Sequence, residues 1–170
     1  ENNIRTVLTY DSLEHFIEGY NNKEIDFPVF IKPRTGSGSV GIHKCTTMEE
    51  LRSYFVEAKF DYIIQEFMDC EDCDADVYID CYSHKPVAAF SKRKLETKIG
   101  GASKTISFKD QKLFDFIEDI CQVLEFNGPV DMDFWYKDGQ YYLSEVNPRF
   151  GGAYLHAYGA GVDFFKLIQN

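Results

Sequence analysis

Asp131 and Asp133 lie on one side of a turn at Lys137-Asp138-Gly139-Gln140, and Glu145, Asn147 and Arg149 follow on the other. Residues 130–136 and 141–147 read as a β-hairpin. Side chains alternate along a strand, so 131 and 133 share a face, as do 145 and 147. Whether the two pairs meet depends on the turn. A two-residue Asp138-Gly139 turn puts Asp133 and Glu145 on opposite faces. A three-residue Lys137-Asp138-Gly139 loop with Gly139 left-handed pairs 133 with 145 and 131 with 147. Four oxygen-bearing side chains then converge. Neighbouring carboxylates repel, so such a cluster calls for a cation. All-oxygen ligands suit Mg²⁺ or Mn²⁺, usually with phosphates completing the shell. The alternative is the solvent face of an amphipathic hairpin, against which Trp135 and Leu143 count.

A second candidate is the loop at residues 33–41, PRTGSGSVG, where Gly36, Gly38 and Gly41 spell G-x-G-x-x-G. A dinucleotide fingerprint needs a helix to begin at that loop. Here Ile42-His43-Lys44-Cys45 reads as a strand, and the next helix cap is Thr46 or Thr47. A Walker A loop needs Lys and Ser/Thr after the last glycine, where Ile42 and His43 stand instead. What remains is strand, glycine-rich turn, strand: a flap whose N–H groups can close over phosphates, with Lys32 just before it. The alternative is an ordinary mobile loop beside a snorkelling lysine.

Basic residues gather at Lys92-Arg93-Lys94 and at Arg149. They serve either a local anionic site or, for 92–94, a guarded edge strand. Arg149 is better placed, next to the proposed metal. The four histidines are scattered and read as structural.

The elements that must position these groups follow from patterning. Asp11-Ser12-Leu13-Glu14 caps a short helix, residues 27–32 form an apolar strand, and Thr47 with Glu50 caps a second helix. Residues 62–67 form a strand, 69–76 an acidic connection, 77–82 and 87–92 a hairpin, and 97–104 a loop. Leu113, Phe116, Ile117, Ile120, Cys121 and Leu124 recur at helical spacing. A loop at 148–152 and a short helix near 162–168 end the chain. The class is α+β.

The chain has 170 residues with a net charge of −10. That length fits one domain or one two-lobed unit able to bury a core without staples. The charge argues against nucleic acid or an anionic membrane as partner, and no long apolar run is present. Five cysteines cannot all pair within the chain, which points to a reducing, cytoplasmic setting. Cys70-x-x-Cys73 lacks the further ligands of a zinc site. The start at Glu1 suggests an excised piece.

Three ordered blocks resemble the ATP-grasp superfamily: FPVFIKPRTGSGSVGI, IIQEFM with its acidic sequel, and GPVDMDFWYKDGQYYLSEVNPRFGG. The ending is similar to ATP-grasp domains grouped with the large chain of carbamoyl phosphate synthase and carboxylate–amine ligases. The resemblance implies two lobes, about 1–66 with the flap and 67–170 with the metal hairpin, and ATP between them. It implies that Lys32 and the flap residues Gly36, Ser37, Gly38 and Gly41 bind phosphates. Gln65, Glu66, Phe67 and Met68 would form the adenine hinge, and Asp72 would hold the ribose. Asp133, Glu145 and Asn147 would hold Mg²⁺ or Mn²⁺, and Arg149 would steady the transferred phosphoryl group. Small carboxylate and amine substrates, a missing upstream domain and a possible oligomer are implied too. So is the rival reading, a nucleotide-binding module without turnover.

Departures from the family pattern are Asp72 in place of Glu, Asp133 in place of Gln or Glu, Gly101 in place of an acid and Cys70 in place of glycine.

Overall fold

The computed structural model describes residues 4–36, 38–57, 59–98 and 101–169. The chain divides into two units: Val7–Asp69, and Glu1–Thr6 with Cys70–Asn170. This differs from a single cut after residue 66. The extreme N-terminal segment joins the larger unit because Thr6 bridges Leu143 and the Arg5 carbonyl accepts from the Leu143 N–H at 2.8 Å.

The smaller unit is an antiparallel sheet ordered β1-β4-β2-β3, built from β1 (Thr9–Tyr10), β2 (Val29–Pro33), β3 (His43–Cys45) and β4 (Tyr62–Glu66). Two helices, α1 (Leu13–Asn21) and α2 (Met48–Glu57), cover one face. Ser12 caps α1 by accepting from the His15 N–H at 3.2 Å. Thr47 Oγ1 accepts from the Glu50 N–H at 3.2 Å at the start of α2, as the pattern required. Phe16, Val29, Ile31, Cys45, Leu51, Tyr62 and Ile64 form the core. Because Val29 and Ile31 point inward, Phe30 and Lys32 point to the face opposite the helices.

The larger unit is a five-stranded antiparallel sheet ordered β7-β6-β5-β8-β9. Its strands are β5 (Glu71–Ile79), β6 (Pro86–Lys98), β7 (Gly101–Phe108), β8 (Gly128–Lys137) and β9 (Gln140–Asn147). Helix α3 (Gln111–Val123), capped by Asp110, lies on one face. Leu113, Phe116, Ile117 and Ile120 pack there on Cys73, Ala75, Val77, Met132 and Phe134. Short helices α4 (Tyr154–Gly159) and α5 (Phe164–Ile168) seal one end through Tyr78, Tyr154 and Phe164.

Two expectations are corrected. Residues 71–76 are not a connection but the first two thirds of β5, the central strand. Small residues alternate there with aspartates, and the aspartates are neutralised by lysines of β6: Lys92 pairs with Asp74 and Asp76, and Lys94 with Asp72. Residues 97–104 are not a loop throughout, since β6 and β7 extend into that range. The Lys92-Arg93-Lys94 run therefore sits on an interior strand, not an edge. Among the described residues no helix is long and apolar enough to cross a membrane. Cys45, Cys73, Cys81 and Cys121 are thiols outside any disulfide. Burial pushes the Cys73 thiol up to about 12, so it behaves as core rather than as a redox group.

Candidate functional site

In the smaller unit the open sheet face gathers Phe30, Lys32, Lys44 and Gln65. Phe30 is the direct partner of both Lys44 and Gln65, and Lys32 is the partner of Ile63. Lys32 is half-buried and makes no hydrogen bond or ion pair among the described residues. A cation held on a rigid strand with no partner is available to a ligand. Phe67 packs edge-on against Phe30 with centroids 5.0 Å apart, and Lys44 Nζ lies 3.6 Å over the Phe67 ring. Gln65 spends an amide proton on Thr9 Oγ1 at 3.0 Å. The Glu66 N–H donates to the Leu8 carbonyl at 2.9 Å, so that donor is taken. Met68 is buried.

The glycine turn links β2 to β3. Gly36, Gly38 and Gly41 have φ of 152°, 68° and 80°, conformations that favour glycine. Ser37 lies outside the described residues. Sequence reading passed over Arg34, which anchors the turn's entry. Its Nε lies 2.9 Å from Asp61 Oδ2, and its Nη2 donates to the Asp11 carbonyl at 2.8 Å.

In the larger unit the hairpin register is as a metal pair requires, by an unexpected route. The turn is the two-residue one, with Asp138 and Gly139 both at positive φ (51° and 78°) and Lys137 opposite Gln140. A bulge at Ser144 then resets the ladder, so that Asp133 faces Glu145 and Asp131 faces Asn147. The tight turn itself places Leu143 opposite Phe134 on the α3 face, with Trp135 opposite Tyr142 on the other face.

The sheet face opposite α3 is a layer of charge. Lys92, Asp74, Asp133 and Glu145 form one row across four strands. Phe90, Asp76, Asp131 and Asn147 form the next. Lys92 is 0% exposed; its ammonium lies 3.1 Å from Asp74 Oδ1 and closer still to Asp76 Oδ2. Burial alone would lower that ammonium, but Asp74 and Asp76 hold it above its ordinary value. Lys94 Nζ lies 2.9 Å from Asp72 Oδ1 and 2.5 Å from Asp133 Oδ1. Asp72, expected at a ribose, thus has one oxygen engaged by Lys94. Burial raises its carboxyl, and Lys94 opposes that.

Arg149 Nη1 donates to Asp131 Oδ2 at 3.2 Å and to the Phe150 carbonyl at 2.8 Å, and its side chain stays 58% exposed. One oxygen of Asp131 is thus engaged by Arg149. Burial, then Asp133 and Asp76, push the Asp131 carboxyl up to about 6. Among the described residues no three His, Cys, Asp or Glu side chains gather to hold a metal. Asp133 and Glu145, with Asn147 on the same face, make an all-oxygen, two-carboxylate set. That set fits Mg²⁺, which keeps open positions for water and substrate phosphate.

Gly151 backs this layer. A Cβ there would lie 2.8 Å from Asp131 Oδ1 and nearer still to Asp76 Oδ1. Gly151→Ala should cost about 1–3 kcal/mol of stability, since Asp76 is locked by Lys92 and cannot yield. Unchanged denaturant midpoints would contradict that packing.

A second expectation concerns pH. Burial pushes Asp74 up to about 7, against the pull of Lys92 and Lys94. The folded state therefore binds an extra proton. The stability linked to Asp74 is fully present below about pH 4 and is lost as pH rises through about 7. Asp74→Asn should flatten that slope in denaturation at pH 4.5 and 8, taken as about two ends of the window. A wild-type-minus-variant difference independent of pH would show that Asp74 is not perturbed.

Sequence reading did not connect Lys92 with Asp74 and Asp76, or Lys94 with Asp72. The signal was present: aspartate at every second position of 72–76, matched by lysine at 92 and 94.

A family model described as an ATP-grasp domain matches residues 15–153. The D-alanine--D-alanine ligase of Staphylococcus epidermidis is 43% identical over 49 residues, 29% of this chain and 14% of the ligase. N5-carboxyaminoimidazole synthetase from Staphylococcus aureus, solved with ADP, has a TM-score of 0.75 at 14% identity, covering 93% of this chain and 44% of its own. The biotin carboxylase domain of Hydrogenobacter thermophilus 2-oxoglutarate carboxylase, solved with MgADP and bicarbonate, has a TM-score of 0.69 at 18% identity. It covers 91% of this chain and 38% of its own. The chain spans less than half the length of each of these proteins. Structural likeness at such identities shows the fold.

Proposed function

Because the chain belongs to the ATP-grasp family, we propose that it binds Mg-ATP and serves an ATP-dependent ligase. Its parent reaction activates a carboxylate as an acyl phosphate, which an amine then attacks. The carboxylate oxygen takes the γ-phosphoryl group as ADP departs, and the amine displaces phosphate. The observation that carries this reading is the pairing of Asp133 with Glu145 and Asp131 with Asn147 on one sheet face, with Arg149 tied to Asp131.

Lys32 and the N–H groups of the turn at Gly36, Gly38 and Gly41 contact the phosphates in this reading. Residues 65–68 supply the adenine contacts. Asp133, Glu145 and Asn147 hold Mg²⁺ or Mn²⁺, which when bound neutralises charge on the terminal phosphates. Arg149, oriented by Asp131 and still exposed, meets charge on the moving phosphoryl group. Such catalysis is positioning and charge stabilisation, with no protein nucleophile. The shared length with its relatives supports a second reading, a nucleotide-binding module that needs further chain for turnover.

The test is ADP release from Mg-ATP with a panel of small carboxylates, with hydroxylamine present to trap acyl phosphate as hydroxamate. Carboxylate-dependent ADP and hydroxamate support the ligase. ATP binding without carboxylate-dependent release supports the module. Absence of ATP binding overturns both.

A further inference from the structure

We propose that Lys94 is a resident cation that closes the metal position at Asp133, so that a divalent ion enters only by displacing its ammonium. The proposal rests on Asp133 being a metal ligand, as argued above.

Lys94 stands on β6 and Asp133 on β8, with β5 between them. Its side chain crosses about 9–10 Å of sheet to reach a strand that is not its neighbour. It is only 15% exposed, and its Nζ is 2.5 Å from Asp133 Oδ1 and 2.9 Å from Asp72 Oδ1. The layer around it is short of positive charge. Among the described residues, Asp72, Asp74, Asp76, Asp131 and Asp133 are met on the strands by Lys92 and Lys94 alone, with Arg149 coming from the loop beyond. The shortage shows in Asp76, whose Oδ1 has no hydrogen-bond donor although the residue is 1% exposed. Lys94 is thus the group that neutralises Asp133 in the absence of metal.

An ammonium and a divalent ion cannot both sit within bonding distance of one carboxylate oxygen, because their repulsion at that range is large. Asp72 gives the displaced ammonium a second anchor already in place. Lys94 therefore has two resting arrangements: shared between Asp72 and Asp133, or on Asp72 with Asp133 released. The consequence is conditional metal binding. A bare divalent ion competes poorly with Lys94, whereas one arriving with phosphates brings the negative charge that offsets the displaced ammonium.

The test is Mn²⁺ binding without nucleotide, followed by electron paramagnetic resonance on the 170-residue chain. Lys94→Met should bind Mn²⁺ at least about tenfold more tightly than wild type. Adding Asp133→Asn should abolish that gain. A folded Lys94→Met variant with unchanged or weaker Mn²⁺ affinity overturns the proposal. If Asp133→Asn still lowers the Mg²⁺-dependent part of ATP affinity in that case, the metal reading survives and only the displacement fails. A gain that persists in the double variant places the metal away from Asp133 and overturns both. Should Lys94→Met not fold, amine labelling of the unaltered chain decides. Lys94 should label slowly, and faster at a Mn²⁺ concentration shown by electron paramagnetic resonance to fill the site than in Na⁺ at equal ionic strength. An equal rate with the site filled overturns the proposal.

Discussion

Lys32→Ala is expected to weaken ATP binding by about ten- to a hundredfold, the loss of one charge-assisted contact of roughly 1.5–3 kcal/mol. The melting temperature should hardly change. Lys32 points to the sheet face away from the helices, while Val29 and Ile31 on the same strand carry the core. It has no partner among the described residues to leave stranded. Calorimetric titration reads the affinity and a thermal melt reads the stability. Unchanged affinity would remove Lys32 from the phosphate contacts. A large fall in melting temperature would make it a structural lysine.

The second large effect is expected at Asp133 and Glu145. Asp133→Asn and Glu145→Gln keep the shape of each side chain and remove the charge that a divalent ion needs. Each should lower ATP affinity in Mg²⁺ by about ten- to a hundredfold and leave the much weaker affinity in EDTA unchanged. Asp133→Asn also leaves Lys94 with Asp72 alone. Its metal-free fold should therefore be retained, because the ammonium keeps a charged partner. Equal losses with and without Mg²⁺ would mean that these carboxylates act on the fold or the nucleotide directly, not through a metal.

Much of the frame was legible in residue order. Helix caps at Ser12 and Thr47, the apolar stripe of α3 and the strand at Val29–Pro33 follow from local rules that tertiary context did not override. The metal hairpin was legible in outcome but not in cause. A three-residue loop was the simplest way to bring Asp133 opposite Glu145, and the protein instead uses a tight turn with a bulge at Ser144. Nothing in Leu143-Ser144-Glu145 announces a bulge, because it serves long-range packing: it lets Val146, three residues past Leu143, return to the α3 side with Tyr141 and Leu143.

The acidic run at 71–76 misled for a related reason. Local composition says solvated connection, yet Lys92 and Lys94 lie opposite, and long-range pairing turns a repulsive run into a buried central strand. Arg34 was invisible because its partners Asp11 and Asp61 are distant in sequence and carry no motif.

The central claim is that this chain holds ATP through a divalent ion. One calorimetric titration addresses it most directly: the unaltered 170-residue chain against ATP, once in Mg²⁺ and once in EDTA. The account predicts saturable binding in Mg²⁺ that weakens by at least about tenfold in EDTA, since Lys32, Arg149 and the turn N–H groups then face the phosphate charge without the metal. Absence of saturable binding in Mg²⁺, or the same affinity in both buffers, would contradict it.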